Sequence, residues 1–228
     1  MIEIGPGKGA LTEELLAVAA HVAAIEVDPV LVHYLREKFA SAIAEQNLEV
    51  IEGDVLGTDL RALGSRFAQP PALAGNLPYY ITSPILEKVL ALDGAWRRAV
   101  FLVQAEVAAR ICAAPGSRDF GYLSVLTQSQ ARAERLFDVP RDAFRPAPKV
   151  DSALIRLEPT APHTSDLAGF LKFAQLCFRQ KRKTLRNNLA GAYGKGVVDG
   201  LVEERLRAEQ LSVPEMMALY EKLRGHAR

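Results

Sequence analysis

Glu3-Ile4-Gly5-Pro6-Gly7-Lys8-Gly9, at the start of the 228-residue chain, is the stretch that decides the fold. Met1-Ile2-Glu3-Ile4 reads as the end of a β-strand that runs directly into a glycine cluster. Beyond it Leu11, Leu15, Leu16, Val18 and Ala19 recur at helical spacing, with Thr12-Glu13-Glu14 in the first turn. Strand, glycine loop and helix make a unit in which backbone can approach a cofactor closely. The spacing is G-x-G-x-G rather than G-x-G-x-x-G, which argues against a dinucleotide pyrophosphate fingerprint. An ordinary tight turn would use the same glycines, so the following strands carry the decision.

Val22-Ala23-Ala24-Ile25-Glu26-Val27 is predicted as the second strand. A carboxylate at its end, Glu26, can accept the hydroxyls of a ribose. Asp28-Pro29 then opens a helix through roughly Phe39, with Asp28 as cap and Pro29 at the first position. Leu48-Glu49-Val50-Ile51 is a third strand, followed by Asp54, another carboxylate just past a strand end. Asp54 suits the N6 amine of an adenine, and equally a turn or helix cap. Pro71-Ala72-Leu73-Ala74-Gly75 is a fourth strand, and it delivers Asn76-Leu77-Pro78-Tyr79-Tyr80-Ile81-Thr82-Ser83-Pro84. Pro78 biases Leu77 toward extended backbone, which would set the Leu77 carbonyl beside the Asn76 amide oxygen. Two adjacent acceptors suit an exocyclic amine, and Tyr79 offers a flat face for a purine. The alternative for this stretch is a strand-to-helix turn with two semi-buried tyrosines.

Composition narrows the classes. A hydrophobic content of 49% fits a globular protein, and no apolar run approaches the ~20 residues of a bilayer span. No basic segment followed by an apolar stretch opens the chain, so a cytoplasmic location is expected. Cys112 and Cys177 have neither a CxxC context nor a histidine at ligand spacing, so buried thiols are expected and a metal site is not. With a net charge of +1, nucleic-acid binding would rest on local patches rather than a global field.

Glu3-Ile4-Gly5-Pro6-Gly7, Ile25-Glu26-Val27-Asp28, Gly53-Asp54 and Asn76-Leu77-Pro78-Tyr79 together resemble the ribosomal RNA adenine N6-dimethyltransferases, in particular the bacterial small-subunit branch associated with kasugamycin resistance. Further segments carry the same resemblance: Gln104 to Ala108, Phe120 to Val125, Pro146 to Ser152, and Phe178 to Leu189. The resemblance implies S-adenosylmethionine as methyl donor, with Gly5, Gly7, Glu26, Asp54 and Asn76 in its site. It implies that Asn76, Leu77, Pro78 and Tyr79 hold the target adenine. It also implies a small-subunit rRNA partner, with two adjacent adenosines in the 3′-terminal hairpin loop as targets. Phe144 is a candidate second face for the flipped base, or a core residue; Lys149 lies near it. Two departures stand out. Members carry an upstream Asn-Phe-Leu segment, so this chain is expected to be truncated at its amino end. Ala105 stands where members commonly have Lys or Arg.

The expected architecture is α/β: a Rossmann-like, seven-stranded methyltransferase sheet with its last strand antiparallel, over residues 1–158, and a small all-helical RNA-binding domain over 166–228. The remaining strands are predicted at Ala99–Val103, Ala133–Val139 and Ser152–Leu157. Glu158 to Ser165, rich in Pro and Thr, reads as the linker. From about Leu167 one long helix is expected, with Phe170, Phe173, Ala174, Cys177 and Phe178 on one face and Arg179, Arg182, Lys183 and Arg186 on the other. Lys181 breaks that pattern by snorkelling or by marking a kink. Arg179 to Asn188 holds five cations and no acid, which suits phosphate contacts. A monomer without metal is expected. Three rival readings remain: a large-subunit methylase of the macrolide-resistance type, a non-catalytic assembly or transcription factor on the same fold, and a small-molecule methyltransferase. The last would have no need of the basic run.

Overall fold

The computed structural model describes residues 1–161 and 164–226. Pro162 and His163 of the expected linker lie outside the described residues.

Seven strands form one sheet: β1 (Ile2–Ile4), β2 (Val22–Glu26), β3 (Leu48–Glu52), β4 (Ala72–Asn76), β5 (Arg98–Gln104), β6 (Ala131–Val139) and β7 (Ser152–Pro159). Their order is β3-β2-β1-β4-β5-β7-β6. The first five pair in parallel, and β7 runs antiparallel to β5. Apart from the buried Glu3 and the partly exposed edge strand β3, the parallel strands are largely apolar on both faces, as a sheet covered by helices requires. Ile2, Ile4, Val22, Ile25, Leu73, Phe101 and Val103 are all buried. Each such side chain contributes about 1.5–3 kcal/mol relative to exposure.

Helices α1 (Ala10–Val18) and α2 (Pro29–Lys38) supply Leu15 and Leu35 to a cluster with Val22, Ala24 and Leu48. The Asp28 carboxylate caps α2 by accepting from Val30 N at 2.9 Å, with Pro29 at the first position. Short helices α3 (Ala40–Ala44) and α4 (Leu60–Gly64) precede β3 and β4, and α5 (Thr82–Leu90) follows β4. The chain leaves β1 toward β2 and β3 on one side and resumes at β4 on the other. A crevice therefore opens between the carboxyl ends of β1 and β4, where such sheets take ligands.

Contacts divide the chain into two units: residues 1–108 with 132–159, and residues 109–131 with 160–228. This differs from a single cut after 158, and the core explains why. Helix α6 (Ala105–Ile111) leaves β5, and α7 (Tyr122–Gln128) follows it. Phe120 and Val125 are buried in one cluster with Phe170, Phe173 and Cys177. Apart from Ala131 at the start of β6, the regular structure among the second unit's described residues is helical, with α8 (Leu167–Phe178), α9 (Leu185–Tyr193), α10 (Lys195–Val198) and α11 (Val213–Leu223) beyond the linker.

The long helix expected beyond Leu167 is two helices. Helix α8 stops at Phe178, and the Lys183 N–H bonds the Gln180 carbonyl at 2.9 Å in the turn between them. Asn188 donates its amide back to the Cys177 carbonyl at 2.8 Å, satisfying an acceptor at the end of α8. The Leu206 and Glu204 carbonyls accept from the Leu185 and Arg186 amides at the start of α9. Apolar periodicity hid the break, because Phe178 and the buried Leu185 are two helical turns apart and stay in phase. Lys181, the residue out of pattern, sits in the turn and donates to the Arg118 carbonyl at 2.5 Å.

Candidate active site

The site grows from four successive strand ends. After β1, Gly5, Gly7 and Gly9 all have positive φ, at 68°, 59° and 78°. Side chains rarely adopt that backbone, and at Gly9 a Cβ would also stand 2.5 Å from the Phe39 ring. At the end of β4, a Cβ on Gly75 would overlap the Ile4 carbonyl oxygen, so glycine there lets the two strands run close.

Glu26 is buried at the end of β2, with 6% of its surface exposed. Its Oε2 accepts from Gly7 N at 3.0 Å, and its Oε1 from Val27 N at 2.9 Å and Asp28 N at 3.1 Å. One carboxylate thus ties the glycine loop to the end of β2, and Oε2 keeps capacity for a further donor. Asp54, after β3, serves the turn as well: its Oδ1 accepts from Leu56 N at 2.8 Å. Its other oxygen carries no protein donor among the described residues.

Asn76 ends β4 with its side chain exposed. Leu77 is buried and its N–H continues the ladder to the Leu102 carbonyl at 3.0 Å. Neither the Asn76 amide nor the Leu77 carbonyl has a protein hydrogen-bond partner among the described residues. The Pro78 carbonyl accepts from Ile81 N and from the Thr82 hydroxyl, both at 3.1 Å, which winds Tyr79–Ile81 into a 3₁₀ turn leading to α5. The two tyrosines then part. Tyr79 is half-buried, its hydroxyl 2.8 Å from Ser152 Oγ; Tyr80 is 83% exposed.

Gly5, Gly7, Glu26, Asp54 and Pro78 line one cavity of about 240 Å³, with Ile25, Val27, Val55, Ile81 and Ile85 as apolar walls and Tyr80 among its lining residues. Asn76 adjoins it through its backbone: its main-chain carbonyl oxygen lies 3.9 Å from where a Cβ of Gly5 would be. The apolar walls were not singled out from sequence. Val27 and Val55 had a signal, since each follows a strand-end carboxylate, whereas Ile85 had none. Two larger clefts, of about 850 and 580 Å³, are lined by His21, Arg66 and Phe67 and share no residue with this cavity. They lack its converging carboxylates and open amide.

Beneath the loop, Glu3 is fully buried. Its Oε2 accepts from the Thr12 hydroxyl at 2.7 Å, and its Oε1 has no partner among the described residues. Burial pushes its carboxyl above the ordinary range, the Thr12 hydrogen bond opposes this, and the charge of Glu26 adds to it.

Phe144 (half-buried) and Lys149 (exposed) lie between β6 and β7 and do not line the cavity. In the second unit, Arg179, Arg182 and Lys183 are exposed or half-exposed in the α8–α9 turn, without ion pairs among the described residues. Arg186 differs from the expectation of a phosphate-facing cation. Its Nε and Nη2 meet the Asp199 carboxylate at 2.5 and 3.1 Å, so its charge is already matched.

A family model described as ribosomal RNA adenine dimethylase matches residues 1–224. A Chlorobium chlorochromatii protein named ribosomal RNA small subunit methyltransferase A is 41% identical over 96% of this chain and 81% of its own length. One of the same name from Acidobacterium capsulatum is 44% identical over 98% and 81%. Among solved structures, a dimethyladenosine transferase from Plasmodium falciparum aligns with a TM-score of 0.80 at 25% identity, over 99% of this chain and 90% of that one. The 23S rRNA methyltransferase ErmE aligns with a TM-score of 0.68 at 30% identity, over 98% and 90%. With the strand-end carboxylates, the glycine loop and the Asn76 turn in one place, the chain belongs to the ribosomal RNA adenine dimethylase family.

Proposed function

We propose that this protein dimethylates N6 of two adjacent adenosines in the 3′-terminal hairpin loop of small-subunit rRNA, acting as a cytoplasmic monomer during subunit assembly. The observation that carries the reading is the pair of acceptors without a partner among the described residues, the Asn76 side-chain amide and the Leu77 carbonyl, immediately before Pro78, which lines a cavity that gathers Gly5, Gly7, Glu26 and Asp54. Curated relatives named for the small subunit share more identity with the chain than ErmE does, which favours the small-subunit target over the large one.

The residues present fit S-adenosylmethionine. Glu26 retains acceptor capacity for a ribose, Asp54 has one oxygen open to an adenine amine, and Val27, Val55, Ile81 and Ile85 give an apolar slot. When bound, that donor supplies an electrophilic methyl group on a sulfonium. The chain's own part is placement. The Asn76 amide oxygen and the Leu77 carbonyl accept the two N–H bonds of the target amine, which weakens its conjugation with the ring and makes nitrogen more nucleophilic. Tyr79 gives the flipped base a flat face, and Phe144 is the candidate for a second. No general base is needed for attack in this reading, and alignment supplies much of the rate. Lys149 and the cations Arg179, Arg182 and Lys183 contribute phosphate contacts, which hold RNA without reading its sequence.

Unmodified small and large ribosomal subunits, incubated separately with the protein and methyl-labelled S-adenosylmethionine, test the reading. Label is expected in the small-subunit rRNA. Label in the large-subunit rRNA instead would transfer the assignment to the macrolide-resistance type. Label in neither, with donor binding intact, would favour the non-catalytic assembly factor.

A further inference from the structure

Ser152 is the first residue of β7, fully buried, and paired with Gln104 at the end of β5. Its hydroxyl lies 2.8 Å from the hydroxyl of Tyr79, across 73 positions of sequence. The two residues come from separate segments, Asn76–Tyr79 and Lys149–Ser152, which nothing in local sequence obliges to meet. Tyr79 stands on a 3₁₀ turn, an element that by itself leaves a tyrosine ring free to rotate about χ1 and χ2. The adjacent Tyr80, on the same turn, is 83% exposed, and its hydroxyl has no hydrogen bond among the described residues. The neighbours differ in burial and in the hydroxyl contact at the far end of the Tyr79 ring.

We propose that Ser152 is a positioning residue for the methyl-transfer reaction: its buried hydroxyl fixes the plane of the Tyr79 ring, and so the plane of the adenine that stacks on it. The inference rests on the reading of Tyr79 as base platform given above. Burial is what makes the anchor effective. The buried Ser152 hydroxyl has no water to exchange with, so breaking the bond to Tyr79 would leave it unpaired. The β7 backbone that carries Ser152 is itself held by the ladder to β5, so the anchor point does not drift with the loop. Stacking tolerates some sliding of a base, whereas an amine aligned between two acceptors and a methyl group does not. Loss of the anchor should therefore appear in turnover rather than in donor affinity.

The test measures kcat, KM for unmodified small subunits, calorimetric affinity for S-adenosylmethionine and thermal melting in four proteins: wild type, Ser152→Ala, Tyr79→Phe and the double variant. Ser152→Ala should lower kcat roughly two- to tenfold, the range of one neutral hydrogen bond, and leave donor affinity within about twofold. Tyr79→Phe keeps the ring and removes the same contact, so it should match Ser152→Ala. The double variant should fall no further than either single one. Wild-type kcat in Ser152→Ala would overturn the proposal. So would multiplicative losses in the double variant, or a loss of kcat accompanied by equal loss of donor affinity, which would mark Ser152 as a support of β7 alone. An inactive wild type would instead remove the methyltransferase reading on which the proposal stands, and the two failures are read from different proteins.

Discussion

The loop at Asn76 and the turn at Arg179 both present open polar groups, but their geometry is set in different ways. Residues 76–82 leave a strand paired on both sides, with β1 and β5, so register alone fixes where Asn76 emerges. Residues 179–184 lie between two helices, and their position depends on side-chain caps such as Asn188. A strand end delivers a side chain to a defined point in a crevice. A helix–helix turn delivers charges to a surface, whereas Arg186, in the first turn of α9, is paired with Asp199. The first arrangement suits chemistry on a single amine, and the second suits contact with a backbone of repeating phosphates.

The largest expected effect breaks the first arrangement. Asn76→Ala should cost methyl transfer about 2.7–4 kcal/mol, the worth of one preorganised polar group, while circular dichroism and melting stay close to wild type. Near-normal turnover at saturating donor would reduce Asn76 to a turn residue.

Glu26 and Asp54 sharpen the comparison within the crevice. Asp54→Ala should weaken donor binding by about 1.5–3 kcal/mol in calorimetry, as for loss of a charged acceptor. Glu26→Ala should weaken it more and also lower the melting temperature, because three backbone N–H groups lose their shared partner. Equal effects of the two substitutions would deny Glu26 its role in holding the glycine loop.

Substituting Arg179, Arg182 and Lys183 together with Gln should leave donor binding unaltered and flatten the log–log salt dependence of subunit binding by up to about 2–3 units. Arg186→Gln should leave that slope unchanged, since its guanidinium is engaged with Asp199. A slope change from Arg186→Gln as large as that of the other three would return it to the RNA surface.

The smallest effect concerns Glu3. A carboxyl whose folded-state value is raised binds protons more readily folded than unfolded, so its contribution to stability is best at low pH. It falls as pH rises from the ordinary carboxylate range through the raised value. Glu3→Gln removes this loss and keeps an acceptor for Thr12. It should therefore melt higher than wild type at pH 7, with the advantage shrinking below pH 4. A variant less stable than wild type at pH 7 would show that the Glu3 charge is compensated.

Legibility from sequence followed the same division. Glu26, Asp54 and Asn76 could be read because each sits where an apolar strand ends, and the strand period is short and unforgiving. Asp28-Pro29 gave the start of α2 for a local reason, a cap followed by a proline. The α8–α9 break could not be read, because Leu185 continues the Phe178 face in phase across the turn. The contact of Tyr79 with Ser152 depends on β7 lying beside β5, which no local pattern encodes. Membership of 109–131 in the second unit is likewise a tertiary matter, visible only once Phe120 and Phe170 share a core.

The most direct test of the central claim is nucleoside analysis after single-turnover and extended reactions on unmodified small subunits. N6-methyladenosine is expected first and N6,N6-dimethyladenosine at completion, at two adjacent positions near the 3′ end of the RNA. Methyl groups on a ring nitrogen, on ribose or on another base would contradict the placement of an adenine amine between Asn76 and Leu77.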